Sequence, residues 1–174
     1  MPLPNLSLVL GGAASGKSTF AEGLVLKGSD NPIYVATAQV FDDEMAQKVA
    51  RHQRSRGTDW ITIEEPIDLP RALAQAKPGQ PVLIDCATLW LTNLILGEHD
   101  IATHSAALID AVAARQGPVV IVSNEVGQGI VPDNTLARSF RNAQGQLNQS
   151  LAASADLVVA VMAGLPLTLK GNLP

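Results

Sequence analysis

The chain has 174 residues, a formal net charge of −4, and a composition that is 47% hydrophobic but only 3% aromatic. This suits one domain, residues 1–174, with a core of Leu, Val, Ile and Ala; the acidic balance argues against a nucleic-acid partner. Cys86 is the single cysteine, which excludes an intrachain disulfide and fits a reducing compartment, and no apolar run approaches the ~20 residues of a membrane span, so a soluble cytoplasmic protein is expected.

Leu6 to Leu10 reads as a short buried strand and Phe20 to Leu26 as a helix. Between them stand Gly11, Gly12, Ala13, Ala14, Ser15, Gly16, Lys17 and Ser18, which fit G-x-x-x-x-G-K-[ST]. A glycine-rich loop between strand and helix leaves backbone N–H groups free to face phosphate oxygens, and the helix N-terminus adds a fixed partial positive charge. Lys17 is then expected at the β- and γ-phosphates and Ser18 on Mg²⁺. A plain strand-to-helix turn of small residues would give no reason for Lys17.

Residues 28–32 form a turn cluster, and Ile33 to Thr37 a second buried strand. Asp42 to Ser55 is expected to be helical, with acids first and Lys48, Arg51, Arg54 and Arg56 late, an order that complements the helix dipole; Gly57 stops it. Trp60 to Glu64 is a third strand, Asp68 to Ala76 a short helix, and Pro81 to Cys86 a strand ending in an acid. Helices follow over Leu89 to Leu96 and Ala102 to Arg115. Then come a strand over Pro118 to Ser123, a loop over Asn124 to Gly129, a long helix over Asn134 to Ser154, and a last parallel strand over Asp156 to Met162. Continuous apolar strands alternating with helices indicate a mostly parallel sheet covered on both faces, an α/β domain of the P-loop type.

Asp85 closes an apolar strand, where an acid can hold a Mg²⁺ water or take a proton from an attacking hydroxyl; the alternative is an N-cap for the next helix, a job open to Thr88 as well. His52 lies among Lys48, Arg51, Arg54 and Arg56, either as part of a solvated helix end or as a nucleophile that takes up a phosphoryl or nucleotidyl group. Glu64 and Glu65 end a strand on the same sheet edge as Gly11 and Asp85. A carboxylate there could accept two hydrogen bonds from the guanine edge, or simply be a solvated turn. His99 and His104 read as surface residues and Cys86 as core.

Taken together, the residues resemble the bifunctional adenosylcobinamide kinase / adenosylcobinamide-phosphate guanylyltransferase family of cobalamin biosynthesis, nearly end to end. The resemblance is carried by the P-loop, Tyr34-Val35-Ala36-Thr37-Ala38, Asp42-Asp43-Glu44-Met45 leading to Arg51-His52, and Trp60 through Glu64. It continues through Leu83-Ile84-Asp85-Cys86, Leu89-Trp90-Leu91, Asn93-Leu94 and, most specifically, Asn124-Glu125-Val126-Gly127-Gln128-Gly129-Ile130-Val131-Pro132. Asn134, Leu136-Ala137-Arg138, Phe140-Arg141, Gly145 and Asn148-Gln149 complete it. The resemblance implies a RecA-like P-loop fold, a homotrimer, Mg²⁺, and GTP and ATP as substrates. It implies phosphorylation of adenosylcobinamide, then transfer of GMP from GTP to the cobinamide phosphate through guanylylated His52. It also implies nucleotide contacts from Ala36, Thr37 and Ala38, from Gln53, Arg54, Ser55 and Arg56, and from Glu64 and Asp85. Two departures are Ala14, where many members carry arginine, and Asn142, where an acid is common. A small-metabolite kinase would share Lys17, Ser18 and Asp85 without needing His52, and a nucleotide switch would carry a base-reading N-K-x-D loop, which Ser123-Asn124-Glu125-Val126 is not.

Overall fold

The computed structural model describes residues 2–27, 31–39 and 60–174. The helix expected over Asp42 to Ser55, with His52, Gln53, Arg54, Ser55 and Arg56, lies outside the described residues. In chain order the elements are β1 (Leu6–Gly11), α1 (Lys17–Leu26), β2 (Ile33–Ala36), β3 (Ile61–Glu64), α2 (Leu69–Leu73) and β4 (Val82–Asp85). They continue with α3 (Ala87–Leu96), α4 (Ile101–Ala114), β5 (Val119–Asn124), α5 (Thr135–Ser154), β6 (Leu157–Met162) and β7 (Leu165–Lys170).

The strands form one sheet in the order β3-β2-β4-β5-β1-β6-β7, parallel throughout except for β7, which runs antiparallel to β6. Each parallel step is bridged by a crossover, and alternate strand residues feed opposite faces. Leu8, Ile84 and Ile121 join α2, α3, α4 and α5 on one face, around the fully buried Trp90. Val9, Leu83 and Val122 join α1 on the other. The sheet is therefore apolar on both sides, which is why its inner strands read as unbroken hydrophobic runs.

Three helix starts follow from side-chain caps. Asp68 accepts from the Arg71 N–H, Asp100 from the Thr103 N–H and Asn134 from the Ala137 N–H, each satisfying one of the free donors of a first turn. No helix among the described residues is long and apolar enough to cross a membrane.

The end of the chain adds to the sequence reading: β6 is the last parallel strand, as expected, and an antiparallel strand that the sequence reading did not include follows it. Ala163 and Gly164 have φ of 50° and 77°, and positive φ at both central residues is what a type I′ hairpin turn requires. The chain reverses there, pairs Met162 with Leu165, and closes with β7, whose residues are all exposed. Leu165, Leu167 and Leu169 alternate with Pro166, Thr168 and Lys170, a period-two strand signal that the sequence reading passed over.

Candidate active site

Because β1 to β6 are parallel, their carboxyl ends lie on one edge, where ligands of open α/β sheets bind. The register fixes one row across that edge: Glu64 is level with Ala36, Ala36 with Asp85, Asp85 with Val122, and Val122 with Val9. Gly11 lies two residues further along β1, level with Asn124. Parity puts Glu64, Ala36, Asp85 and Gly11 all on the face covered by α1, since Val9, Leu83, Tyr34 and Val122 belong to that face's core. From β1 to β3 is four strand spacings, about 19 Å. That separation is on the order of the length of an extended nucleoside triphosphate.

The phosphate end is built from backbone. Gly16 caps α1 in the left-handed region, φ 90°, and no side chain caps the helix. The first-turn N–H groups therefore keep their partial positive charge for a ligand. A Cβ on Gly16 would also stand 3.1 Å from the Gly164 Cα. At Gly11 the space is tighter: an added Cβ would meet Ser15 Oγ at 2.3 Å and the Val161 carbonyl oxygen at 2.7 Å. The loop closes on itself through Ser15 N–H to Gly12 O, 3.3 Å, and Lys17 Nζ donates to the same carbonyl at 3.1 Å. Its outer side is held by the β6–β7 turn, where the Gly164 N–H donates to Ser15 O at 2.8 Å. That buttress is a contact between residues far apart in sequence.

Asp85 ends β4 half-buried, and its Oδ2 accepts from the Tyr34 hydroxyl at 3.0 Å. Neither capping alternative is realised, for α3 starts at Cys86 with no side-chain cap. Thr88 instead uses its Oγ1 to accept from the Asn124 N–H at 2.9 Å, joining α3 to the end of β5. Ser18 lies in the first turn of α1 and, like Asp85, offers oxygen. Among the described residues no group of three or more His, Cys, Asp or Glu could hold a metal ion. The oxygen-only pair Ser18 and Asp85 fits Mg²⁺, which takes one or two side chains and completes its shell with water and substrate phosphates.

Thr37 is fully buried, and its hydroxyl donates to the Cys86 carbonyl and accepts from the Cys86 N–H, both at 2.8 Å. The Thr37 N–H also donates to the Asp85 carbonyl at 3.3 Å, so both side chain and backbone clasp the end of β2 to β4. Asn93, also buried, donates to the carbonyls of Thr37 and Pro66 and pins the ends of β2 and β3 to α3. Ala36 and Ala38 are partly exposed beside it.

The structure separates the two glutamates that the sequence left together. Glu64 is exposed. Glu65 is only 4% exposed and faces the other way. Its carboxylate accepts from the N–H groups of Ile67 and Asp68 and pairs with Arg71, so it caps the start of α2. Burial alone would raise its pKa, but the Asp68 N–H, the Arg71 guanidinium and the Ile67 N–H together hold it below the ordinary value. Cys86 is buried, and burial followed by the Asp85 charge pushes its thiol up to about 11, so it is core and not a nucleophile. His99 is exposed and meets His104 edge to face at 5.1 Å.

Sequence reasoning singled out Thr37 and Asn93 only through the resemblance and missed their role as clasps. Thr37 and Asn93 look like ordinary strand and helix residues, and only an unusual polar side chain within an apolar run marks them. It also missed the buried triad behind Asn124, in which Ser123 Oγ donates to Asn148 Oδ1 at 2.6 Å and Gln144 Nε2 donates to both.

The cobinamide kinase / cobinamide phosphate guanyltransferase family model matches residues 7–169. The chain is 41% identical over 168 residues to the bifunctional adenosylcobalamin biosynthesis protein CobP of Pseudomonas aeruginosa, covering 95% of this chain and 97% of that one. It is 39% identical over 179 residues to the corresponding CobU protein of Escherichia coli, covering 94% and 98%. In fold it is similar to an ATPase of a bacterial type III secretion system, with a TM-score of 0.53, 14% identity, and coverage of 95% of this chain and 57% of that one. The mostly parallel sheet with its glycine-rich loop between β1 and α1 is an α/β fold of the P-loop type, shared with that ATPase. By a match that runs almost from end to end, the chain belongs to the cobinamide kinase / cobinamide phosphate guanyltransferase family.

Proposed function

We propose that this chain phosphorylates the aminopropanol hydroxyl of adenosylcobinamide and then transfers GMP from GTP to the resulting phosphate, giving adenosylcobinamide-GDP. The observation that carries the reading is the shared sheet edge. Gly11 to Ser18, Asp85, Ala36 and Glu64 fall on one edge and one face, across about four strand spacings of ~4.8 Å.

In the kinase step ATP or GTP lies with its phosphates on the uncapped first turn of α1. Lys17 neutralises the β- and γ-oxygens, and the acceptor hydroxyl attacks the γ-phosphorus in line. Ser18 and Asp85 would hold Mg²⁺, which supplies charge neutralisation on the phosphates. The Tyr34 hydroxyl fixes the Asp85 carboxylate for that task.

In the transferase step the imidazole of His52 attacks the α-phosphorus of GTP. A nitrogen–phosphorus bond forms, the α–β bridging P–O bond breaks, and pyrophosphate leaves. A phosphate oxygen of the cobinamide phosphate then attacks the same phosphorus and His52 departs. Glu64 accepts from the two N–H donors on the guanine edge, which adenine lacks. Gln53, Arg54, Ser55 and Arg56, and Ala36 to Ala38, contact the guanine nucleotide. The same reading includes a homotrimer working in the cytoplasm, which light scattering and cell fractionation test.

The decisive experiment is incubation with α-labelled GTP and Mg²⁺. The protein is expected to carry label that is labile in acid and stable in alkali, as a phosphoramidate is, and His52→Ala none. Label persisting on His52→Ala would remove the nucleophile. Assaying the two steps separately also detects a member that keeps only one of them.

A further inference from the structure

On the helical face opposite α1, a cavity of about 440 Å³ lies between the C-terminal half of α3, the loop after β5 and the first two turns of α5. Its walls are mostly apolar, with Leu96, Val126, Leu136 and Phe140 among the lining side chains. The lining residues Leu96 and Leu136 are about two-thirds exposed, and between the lining residues Val126 and Pro132 the same loop carries Ile130, 97% exposed, and Val131, 66% exposed. Contiguous exposed apolar surface of this kind marks a binding site.

Two observations restrict the occupant. The first is continuity with the nucleotide site. Asn124 is level with Gly11, the Glu125 N–H donates to Gly11 O at 3.1 Å, and Val126 is the next residue. One loop therefore forms the wall of this cavity and the flank of the P-loop, and the Arg141 guanidinium holds it by donating to Gly127 O. The second is chemistry. Among the described residues the one cationic side chain lining the cavity is Arg141, already bonded to that carbonyl, and no glycine of that lining forms a cradle. A triphosphate has nothing to bind there. A broad apolar ligand fringed with neutral amides does, because Thr92 and Asn134 stand at its polar margin.

We infer that this cavity and its rim seat the corrin macrocycle of the acceptor, with the aminopropanol arm running past Glu125 towards the P-loop. The inference rests on the proposed activity and adds where the second substrate docks. The macrocycle is larger than the cavity, so the rim around Ile130 and Leu136 covers the remainder of its face.

The test uses the intact protein and adenosylcobinamide, with binding followed by equilibrium dialysis and GTP binding measured in parallel. Leu136→Asp and Ile130→Asp alter exposed side chains and leave the core untouched. Each is expected to weaken cobinamide binding on the order of tenfold or more, as losing the burial of one such side chain predicts. GTP affinity, melting temperature and subunit number are expected to stay as in wild type. Leu136→Met should restore binding, and Leu167→Asp on β7 should leave it unchanged. Wild-type cobinamide affinity in both aspartate variants would overturn the assignment. So would a weakened affinity accompanied by a changed subunit number, which would make the surface a contact between copies of the chain. A wild-type protein that binds GTP but not cobinamide would instead refute the functional reading beneath it.

Discussion

Replacing Gly11 by alanine puts a methyl group 2.3 Å from Ser15 Oγ and 2.7 Å from the Val161 carbonyl oxygen. The first atom is a side-chain hydroxyl that can rotate aside, but the second is the backbone of β6, so the strain against it is relieved only by moving the loop or the sheet. Forcing one extra carbon into such a site costs about 1–3 kcal/mol. For a chain of this size each kcal/mol lowers the melting temperature by about 2–4 °C, so a fall of roughly 2–12 °C is expected. Saturating Mg-GTP at about 100 times its Kd should add ~2.7 kcal/mol to the wild type, and the displaced loop of the variant should gain less. Gly12→Ala is the internal control, because nothing lies within 4 Å of a Cβ there and its φ is not in the left-handed region. Scanning calorimetry of both variants, with and without nucleotide, separates the cases. If Gly11→Ala melts with the wild type and gains the same ligand-induced shift, the steric account of the loop is wrong.

Other expectations follow from the clasps around the site. Thr37→Val keeps the shape but leaves the buried Cys86 N–H without an acceptor, so urea titration should show a loss of about 1–3 kcal/mol, and an unchanged midpoint would count against the clasp. Glu65 has a lowered pKa in the folded state, so it contributes stability above its ordinary value of 4.5, and that contribution disappears as pH falls through the lower folded value. Glu65→Gln should therefore be less stable at pH 7 and show a flatter acid limb in a pH series of melting curves; parallel curves would exclude the effect. With its thiol pushed up to about 11, Cys86 should resist iodoacetamide at pH 8 in the folded protein and react once unfolded, as mass spectrometry can follow. Glu64→Gln is expected to weaken GTP binding while sparing ATP, and equal losses for both nucleotides would remove Glu64 as the base reader.

Wherever the chemistry is local, the chain carries its structure openly. The P-loop spacing, the apolar strands and the polar caps at Asp68 and Asn134 each act through neighbours within a few residues, so residue order alone marks them. The likeness of Asn124 to Pro132 and of Asp85 to family motifs was legible in the same way. What the sequence could not decide depends on register and on long-range contact. Glu64 and Glu65 are adjacent and chemically alike, yet parity sends one to the ligand edge and turns the other into a buried cap. The hold of Thr37 on Cys86, of Tyr34 on Asp85 and of Gly164 on Ser15 joins residues separated by roughly 50 to 150 positions. Strand order alone brings them together, and strand order is a property of the whole sheet.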